Sequence, residues 1–440
     1  MRNIKCQHTT NAIFHCRIRS DNLLFISQNI RCGSTGKQPA IGTENIAQPL
    51  QTILTETTMR KLLTLIITVV VFSSCEKDDE TKSIETTPTY FTFNGNIGTN
   101  DNSTITSNDN NLIICGNSGA SISVLKISKS GDEIWRSDFN AGNMSEANSI
   151  VQTTNNDIFI CGETYRNYSA TRIDILLIKT NSSGDTIWTK TFGGNEADYG
   201  KNIISTSDGN LLIAGKTESF GAGSFGDIYL LKLDLNGDTI WTKSYSDLDQ
   251  EVPFSLIETT DGGYLVTGTN EDNSNPRGLY LLKVNSTGKK VWDKTIGAGQ
   301  WKCGFSTIEL SDGNLLTCGQ YTSNGYSQVL VLKTDNQGNT IWEKEYGENN
   351  LSEKGNSIKE NTDGTFTITG SSYDFNTMQD DIIVLKIDQD GKQNWYKKFG
   401  SNHSDWGINL IKDVNEDNII TGDYDGSIFM TKVGNDGKFK

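Results

Sequence analysis

Histidine is nearly absent from this chain, at 3 in 440 residues, and proline is scarce, at 5. His8 and His15 both precede residue 59, so a multi-histidine metal centre is excluded for everything after it. Few prolines beside 43 glycines exclude a proline-rich chain and fit many short strands joined by glycine-containing turns. Clusters of lysine and arginine are also missing. With a formal net charge of −15, this argues against a phosphate-binding surface, and no nucleic acid is expected as a partner. No apolar run reaches the roughly 20 residues that a membrane-crossing helix needs. The nearest approach is Leu62–Phe72.

What is present is a repeat. DILLIKTNSSGDTIWTK at 174–190 returns almost unchanged as DIYLLKLDLNGDTIWTK at 227–243, and related copies end near Trp135, Trp292, Trp342 and Trp395. A period of about 50 residues built from short strands and tight turns marks a propeller or solenoid. In the third unit, 202–206 and 211–215 read as a hairpin around Asp208-Gly209-Asn210, and 228–234 and 239–245 as a second around Asn236-Gly237.

Counting fixes the closure. Seven glycines end the second strand (Gly116, Gly162, Gly215, Gly268, Gly319, Gly370, Gly422), and seven lysines mark the third (Lys126, Lys179, Lys232, Lys283, Lys333, Lys386, Lys432). The tryptophan strand occurs only six times, at Trp135, Trp188, Trp241, Trp292, Trp342 and Trp395. The missing copy is at the other end, where Tyr90–Gly95 aligns with the outer strand and its Phe-Gly-Gly sequel at 192–194. The expected fold is an all-β, seven-bladed β-propeller of four-stranded blades over 89–440, its last blade completed by an N-terminal strand.

This pattern resembles the bacterial β-propeller repeats of the SBBP type, from Thr89 to Lys440. The glycine-to-tryptophan spacing in Asn236–Trp241 is also similar to the tryptophan-docking turn of quinoprotein propellers, which use a longer Asp-to-Gly gap. Sialidase Asp-boxes have a glycine-to-aromatic spacing one residue shorter and do not fit. No cofactor is expected. The six tryptophans are expected to fill the wedge between blades, each indole N–H finding a backbone carbonyl.

The first 75 residues follow other rules. Residues 1–58 lack the period and hold Cys6, Cys16 and Cys32 beside His8 and His15, without the spacing of a zinc finger. MRKLLTLIITVVVFSSC at 59–75 has a basic start, an apolar run and a small-small-Cys ending, the pattern of a secretory signal. It resembles a bacterial lipobox, which implies lipid on Cys75 and a signal peptide over 59–74. Translation is then expected to start at Met59, leaving 1–58 as an over-extended gene model or a disordered segment. Glu76, Lys77, Asp78, Asp79 and Glu80 form a solvated linker and resemble the acidic surface-export signal of Bacteroidetes-type lipoproteins. The expectation is an outer-membrane, surface-exposed monomer on an acidic tether at 75–88, with a reach of at most about 45 Å.

Chemistry is harder to find. Cys115, Cys161 and Cys318 share one small-residue position of the second strand, and with Cys303 are expected as free thiols. Asp413–Asp417 mimics the start of a calcium loop but lacks its closing glutamate, so no metal is expected. His403, the lone histidine after residue 59, reads as a solvated loop residue. Asp185-Thr186-Ile187 and Asp238-Thr239-Ile240 resemble a bacterial O-glycosylation motif and equally read as hairpin turns. The first-strand series Ser103, Ser149, Asn202, Ser255, Ser306, Ser357 and Asn409 reads as a small polar ring around the axis with no base beside it, so no catalytic residue is assigned.

Binding has better material. The loops joining second to third strands carry Tyr165, Tyr168, Phe220, Phe225, Tyr321, Tyr326, Tyr373 and Phe375, and those joining blades add Tyr199, Trp301 and Trp406 on the same face. Blades 1 and 7 have the shortest such loops. Aromatics on loops held by a rigid scaffold are the usual material of glycan or protein recognition. The expectation is a non-catalytic binding module, against a polysaccharide lyase or glycosidase propeller and a purely structural module as alternatives.

Overall fold

The computed structural model describes residues 16–18, 24–26, 90–94, 96–97, 103–140, 144–166, 172–221, 226–245, 250–272, 275–413 and 417–440. The chain divides into Met1–Lys82 and Ser83–Lys440. In the first unit, the strands Cys16–Ile18 and Leu24–Ile26 pair antiparallel. The signal segment, Cys75 and the acidic run 76–80 lie outside the described residues.

The second unit is a seven-bladed β-propeller of antiparallel sheets, each running in order from an inner to an outer strand. Blade 3 shows the plan: Asp198–Ser205, Leu211–Thr217, Asp227–Leu233 and Thr239–Tyr245. Blade 7 consists of Trp406–Lys412, Asn418–Tyr424 and Ser427–Val433, and its outer strand is Tyr90–Phe93, paired Tyr90 to Thr431 and Phe93 to Ile428. The ring is therefore closed by its N-terminal strand, as the strand counts require. In blade 1, Asn96–Ile97 and Thr104–Thr106 both pair with Leu112–Ser118.

The second and third strands are apolar on both faces because neighbouring blades cover both. Leu316, Cys318, Val329 and Val331 of blade 5, for instance, pack on Ile358, Ile368, Ile383 and Leu385 of blade 6. Each fully buried Leu or Ile contributes about 1.5–3 kcal/mol. The third-strand lysines are tied down in the same way in all seven blades. Each reaches a blade-mate aspartate at the end of the first hairpin: Lys126–Asp109, Lys179–Asp157, Lys232–Asp208, Lys283–Asp261, Lys333–Asp312, Lys386–Asp363 and Lys432–Asp413, at 2.7 to 4.0 Å.

The polar series around the axis is a hydrogen-bonded seam rather than a mere concession to crowding. The Ser149, Ser255, Ser306 and Ser357 hydroxyls accept from the amides of Ile203, Thr307, Ile358 and Leu410 in the next blade, at 3.1 to 3.4 Å. Asn409 Nδ2 donates to Ser103 Oγ at 2.7 Å and so joins blade 7 to blade 1.

Two expectations need correction. Inner strands begin earlier than the repeat indicates, at Asp198 rather than Asn202 in blade 3, because a bulge at Lys201 hides the first half from a period-two reading. The segments joining second to third strands in blades 5 and 6 are largely extended hairpins, not irregular loops. Leu315–Ser323 turns through Asn324-Gly325 into Tyr326–Thr334, a turn as short as those of blades 1 and 7, and Phe366–Asp374 leads into Gln379–Ile387.

Candidate functional site

One face carries the tight turns within the two hairpins of each blade, and the other carries the second-to-third-strand hairpins and the blade-to-blade connections. Of the eleven aromatic residues assigned to the latter face, Tyr168 and Phe225 lie outside the described residues. Tyr165, Tyr321, Tyr326 and Tyr373 stand on the hairpin strands, Tyr199, Trp301 and Trp406 on inner strands, and Phe220 and Phe375 in turns.

Blades 5 and 6 bring three of them together. Phe375 meets Tyr326 edge-on at 5.4 Å and Tyr373 edge-on at 5.0 Å. Phe375 remains 49% exposed, and Met378, the residue just before the returning strand Gln379–Ile387, is 72% exposed.

 Both side chains stand clear of the blade core, on a hairpin tip held at its base by paired strands. Trp301 is 48% exposed at the start of the blade 5 inner strand, opposite Thr322.

The other assigned aromatics are partly engaged. Phe220 stacks on Tyr229 at 5.3 Å yet stays exposed. Tyr199 lies between Lys201 and Lys216, whose ammonium groups sit 5.2 and 5.3 Å from its ring centre, and burial with the nearby Glu218 pushes its hydroxyl up to about 12. Lys302 lies over Tyr321 at 5.0 Å, and Tyr321 packs against Leu279, Leu281, Leu330 and Leu332. Trp406 is half-buried against the cluster that joins blade 7 to blade 1, which includes Ile408, Ile419, Ile428, Leu112 and Ile114, and its side chain hydrogen-bonds Asp380 of blade 6.

The inner strands also hold a feature that the sequence reading missed. Each one from blade 2 to blade 7 carries a bulge at the same place, which leaves Asn148, Lys201, Phe254, Phe305, Asn356 and Ile408 without a ladder partner. These side chains meet one another's blades around the axis. Asn148 and Asn356 donate to the carbonyls of Gly200 and Gly407 at 2.8 Å, and Phe254 meets Phe305 edge-on at 5.1 Å. The signal was a residue between a small residue and the polar series, too variable in type to register as a repeat.

Charge concentrates beside two of these bulges. Lys201 pairs with Glu163 at 2.9 Å, and Glu146 stands opposite Glu163 in the ladder. Burial and the Glu163 charge raise the Glu146 carboxyl above its usual range. In blade 6, burial lowers Lys354 and raises Asp380. A cavity of about 370 Å³ lies toward the tight-turn face instead, lined by inner strands of blades 4 to 6, including Ser255, Glu258, Thr307, Glu309 and Lys359.

The remaining candidates are placed as follows. Cys115, Cys161, Cys303 and Cys318 are free thiols, and burial raises Cys115 and Cys161 far above the ordinary thiol range. Asp413 pairs with Lys129 and Lys432 at 2.8 and 3.2 Å, and Asp417 with Lys440 at 2.6 Å, while 414–416 lie outside the described residues. His403 is exposed and its Nδ1 lies 2.6 Å from Asp425. Thr186 and Thr239 are exposed at the start of outer strands. Among the described residues no group of three or more His, Cys, Asp or Glu side chains is placed to hold a metal ion.

No family model matches this chain, and no curated protein does. Solved structures do. A protein of unknown function from Bacteroides caccae is 14% identical over 66% of this chain and 93% of its own, with a TM-score of 0.42. One of unknown function from Dyadobacter fermentans is 12% identical over 65% of this chain and 94% of its own, with a TM-score of 0.45. A puromycin hydrolase is 9% identical over 79% of this chain, with a TM-score of 0.53, and the match spans 53%, about half, of that enzyme's length. At such identities the likeness extends to the fold alone.

Proposed function

We propose that this propeller is a non-catalytic binding module that takes a glycan or a protein on its hairpin face. The observation that carries this reading is the exposed edge-to-face cluster of Tyr326, Phe375 and Tyr373 on adjacent hairpins. Stiff aromatic side chains on paired strands lose little conformational freedom when a ligand covers them. A glycan array probed with the purified chain, beside Trp301→Ala and Phe375→Ala, tests it. Binding to a defined glycan class that both variants lose supports the glycan form, whereas capture only of a protein partner, lost in the same variants, supports the protein form. Binding that neither variant alters sinks the assignment of this face.

The Glu146, Glu163 and Lys201 group favours a second reading, a catalytic propeller acting on a polysaccharide. Turnover of a polyanionic or neutral glycan that disappears in Glu163→Gln would establish it in place of the first.

We further propose that the chain is a lipoprotein of the outer membrane, anchored through Cys75 and exposed at the surface by residues 76–80. The support is the basic start, apolar run and Ser-Ser-Cys ending of 59–75, with the acidic run after it. Tyr90–Phe93 runs antiparallel to the third strand of blade 7, so its first residue lies at the tight-turn face and the aromatic hairpins lie on the face away from it. Labelling of cells with an alkyne fatty acid should mark the protein and fail with Cys75→Ala. Labelling that persists in this variant would refute the anchor.

A further inference from the structure

We propose that the aromatic cluster of blades 5 and 6 docks an arginine-rich segment of a protein partner, whose guanidinium groups reach the carboxylates of blades 6 and 7 beside it. This rests on the reading of the hairpin face as a binding surface and commits that surface to one partner chemistry. Its tip is apolar and open: Tyr326, Phe375 and Met378 are all exposed. Phe375 stands nearly perpendicular to both Tyr326 and Tyr373, at interplanar angles of 87°, so the rings brace one another on hairpins whose backbones are fully paired.

The charge beside these rings has one prevailing sign. The blade 6 hairpin, from Ser371 to Asp381, holds three carboxylates and no base: Asp374 precedes Phe375, Asp380 stands opposite Tyr373 in the ladder, and Asp381 follows it. Blade 7 packs more acid against this hairpin. Asp405 N donates to Asp380 O at 2.8 Å, the Asp425 amide donates to the Asp405 carboxylate at 2.7 Å, and Asp423 accepts from Gly426 in the turn that holds Asp425. Lys354 acts on Asp380, Lys398 on Asp381, and His403 lies 2.6 Å from Asp425, so the acids outnumber the bases that meet them. Lys398 is also shared with Glu348 at 3.5 Å. The surplus shows as mutual repulsion. Burial raises the Asp381 carboxyl, and Asp405, Asp374 and Asp380 add to the rise against the pull of Lys398, while Asp423 is raised by burial and by Asp405 and Asp425.

The acidity of the chain as a whole does not account for this surplus. On the tight-turn face the first-hairpin aspartates are matched one for one by the third-strand lysines, whereas the blade 6 hairpin has no such ladder. A partner that fits must bring positive charge and a surface for the rings. Arginine brings both, because its planar guanidinium stacks on aromatic faces and binds a carboxylate through two parallel hydrogen bonds, while its methylene stem covers apolar groups such as Met378. Lysine offers a compact, strongly hydrated charge and fits the rings less well. An anionic glycan is repelled, and a neutral glycan leaves the repulsion among Asp374, Asp380, Asp381 and Asp405 in place. The carboxylates extend over two blades, from Asp374 to Asp425, which suits several cations on one chain.

The test uses the purified full chain and a short fluorescent peptide of alternating arginine and glycine, followed by anisotropy at low ionic strength. The peptide should bind, its lysine counterpart several-fold more weakly, and its glutamate counterpart not at all. Phe375→Ala, Asp374→Asn and Asp425→Asn should each weaken binding at least about threefold, and the two asparagine variants should also flatten its salt dependence. Asp185→Asn removes the same charge from an exposed turn on the tight-turn face and should leave binding unchanged. The asparagine variants carry the test if Phe375→Ala fails to fold. Absence of binding, equal affinity for the lysine and arginine peptides, or a weakening shared by Asp185→Asn overturns the proposal, the last by showing a general attraction to an acidic protein. A neutral glycan that binds in a Phe375-dependent way while the arginine peptide does not overturns this partner and leaves the binding face standing, whereas the failure of both removes the face as well.

Discussion

The indole of Trp188 lies on Gly237 in the outer hairpin turn of the next blade, so close that a Cβ on that glycine would sit 2.8 Å from Cη2. The same contact joins Trp135 to Gly184, Trp241 to Gly288, Trp292 to Gly338, Trp342 to Gly391 and Trp395 to Gly437. Each glycine also has a positive φ, +76° at Gly237, so the turn and the docking surface both demand it. The expected indole hydrogen bond is made by Trp395, to Asn435 O at 3.1 Å. Gly237→Ala should cost about 2–4 kcal/mol, the sum of backbone strain and overpacking. Gly209→Ala, also at positive φ but with open space around it, should cost only the strain, about 1–2 kcal/mol. Urea unfolding of the two variants measures the difference, and equal losses would show that the tryptophan contact adds nothing.

Blade 7 has no seventh tryptophan, and Phe91 takes its place: a Cβ on Gly131, the equivalent turn glycine of blade 1, would run into the Phe91 ring. Phe91 therefore links the closing strand to blade 1 while its backbone pairs with Met430. Phe91→Ala should destabilise less than a fully buried phenylalanine, about 1–3 kcal/mol, because the ring is only partly covered. Removing the chain through Asn94 should do more, exposing the unpaired edge of Ser427–Val433 and driving self-association. Size-exclusion chromatography reads this directly: a truncated chain that stayed monomeric with an unchanged melting temperature would show that the closing strand is dispensable.

The blade count, the closing strand and the tryptophans were legible because each recurs at one spacing with one residue type. Lys232 was legible as a marker but not as half of an ion pair, since Asp208 lies 24 residues away and belongs to a turn where aspartate has its own reason to be. The bulge residues escaped because Asn148, Lys201 and Phe254 share a backbone position and no chemistry. The aromatic face was legible as composition only. Which rings meet depends on hairpin length, and Tyr326 reaches Phe375 because both neighbouring hairpins extend beyond the core strands.

The lysine ladder predicts how the fold responds to acid. For Asp109, Asp208, Asp261 and Asp363, burial pushes the carboxyl up, but hydrogen bonds from the lysine and from neighbouring side chains or amides outweigh it and hold each at about 2. A carboxyl lower in the folded than in the unfolded chain stabilises the fold above the unfolded value, near 3.9, and loses that contribution as pH falls toward 2. Burial raises Glu146, Glu353, Asp380, Asp381 and Asp423, and their sign is opposite: protonation relieves a penalty as pH falls through their raised values. Melting temperature should therefore hold or rise slightly from pH 7 toward pH 5 and fall between about pH 4 and 2. Asp208→Asn should flatten the lower limb, and an unchanged acid profile in that variant would remove the ladder from the explanation.

Phe375 and Trp406 were assigned to one face by sequence, and their surroundings predict different consequences for the same substitution. Phe375→Ala removes a ring that is half in water and touches only Tyr326 and Tyr373 among the aromatics, so stability should fall by no more than about 1 kcal/mol. Trp406→Ala removes a half-buried ring packed against the cluster of Ile408, Ile419, Ile428, Leu112 and Ile114 together with its hydrogen bond to Asp380, and should cost about 3 kcal/mol. Loss of ligand in Trp406→Ala would then report a loosened closing seam as readily as a lost contact, whereas loss in Phe375→Ala at an unchanged melting temperature can only report the surface. Paired melting and binding measurements on the two variants separate these causes. A Phe375→Ala protein that melts several degrees lower would place this ring in the scaffold instead of the site.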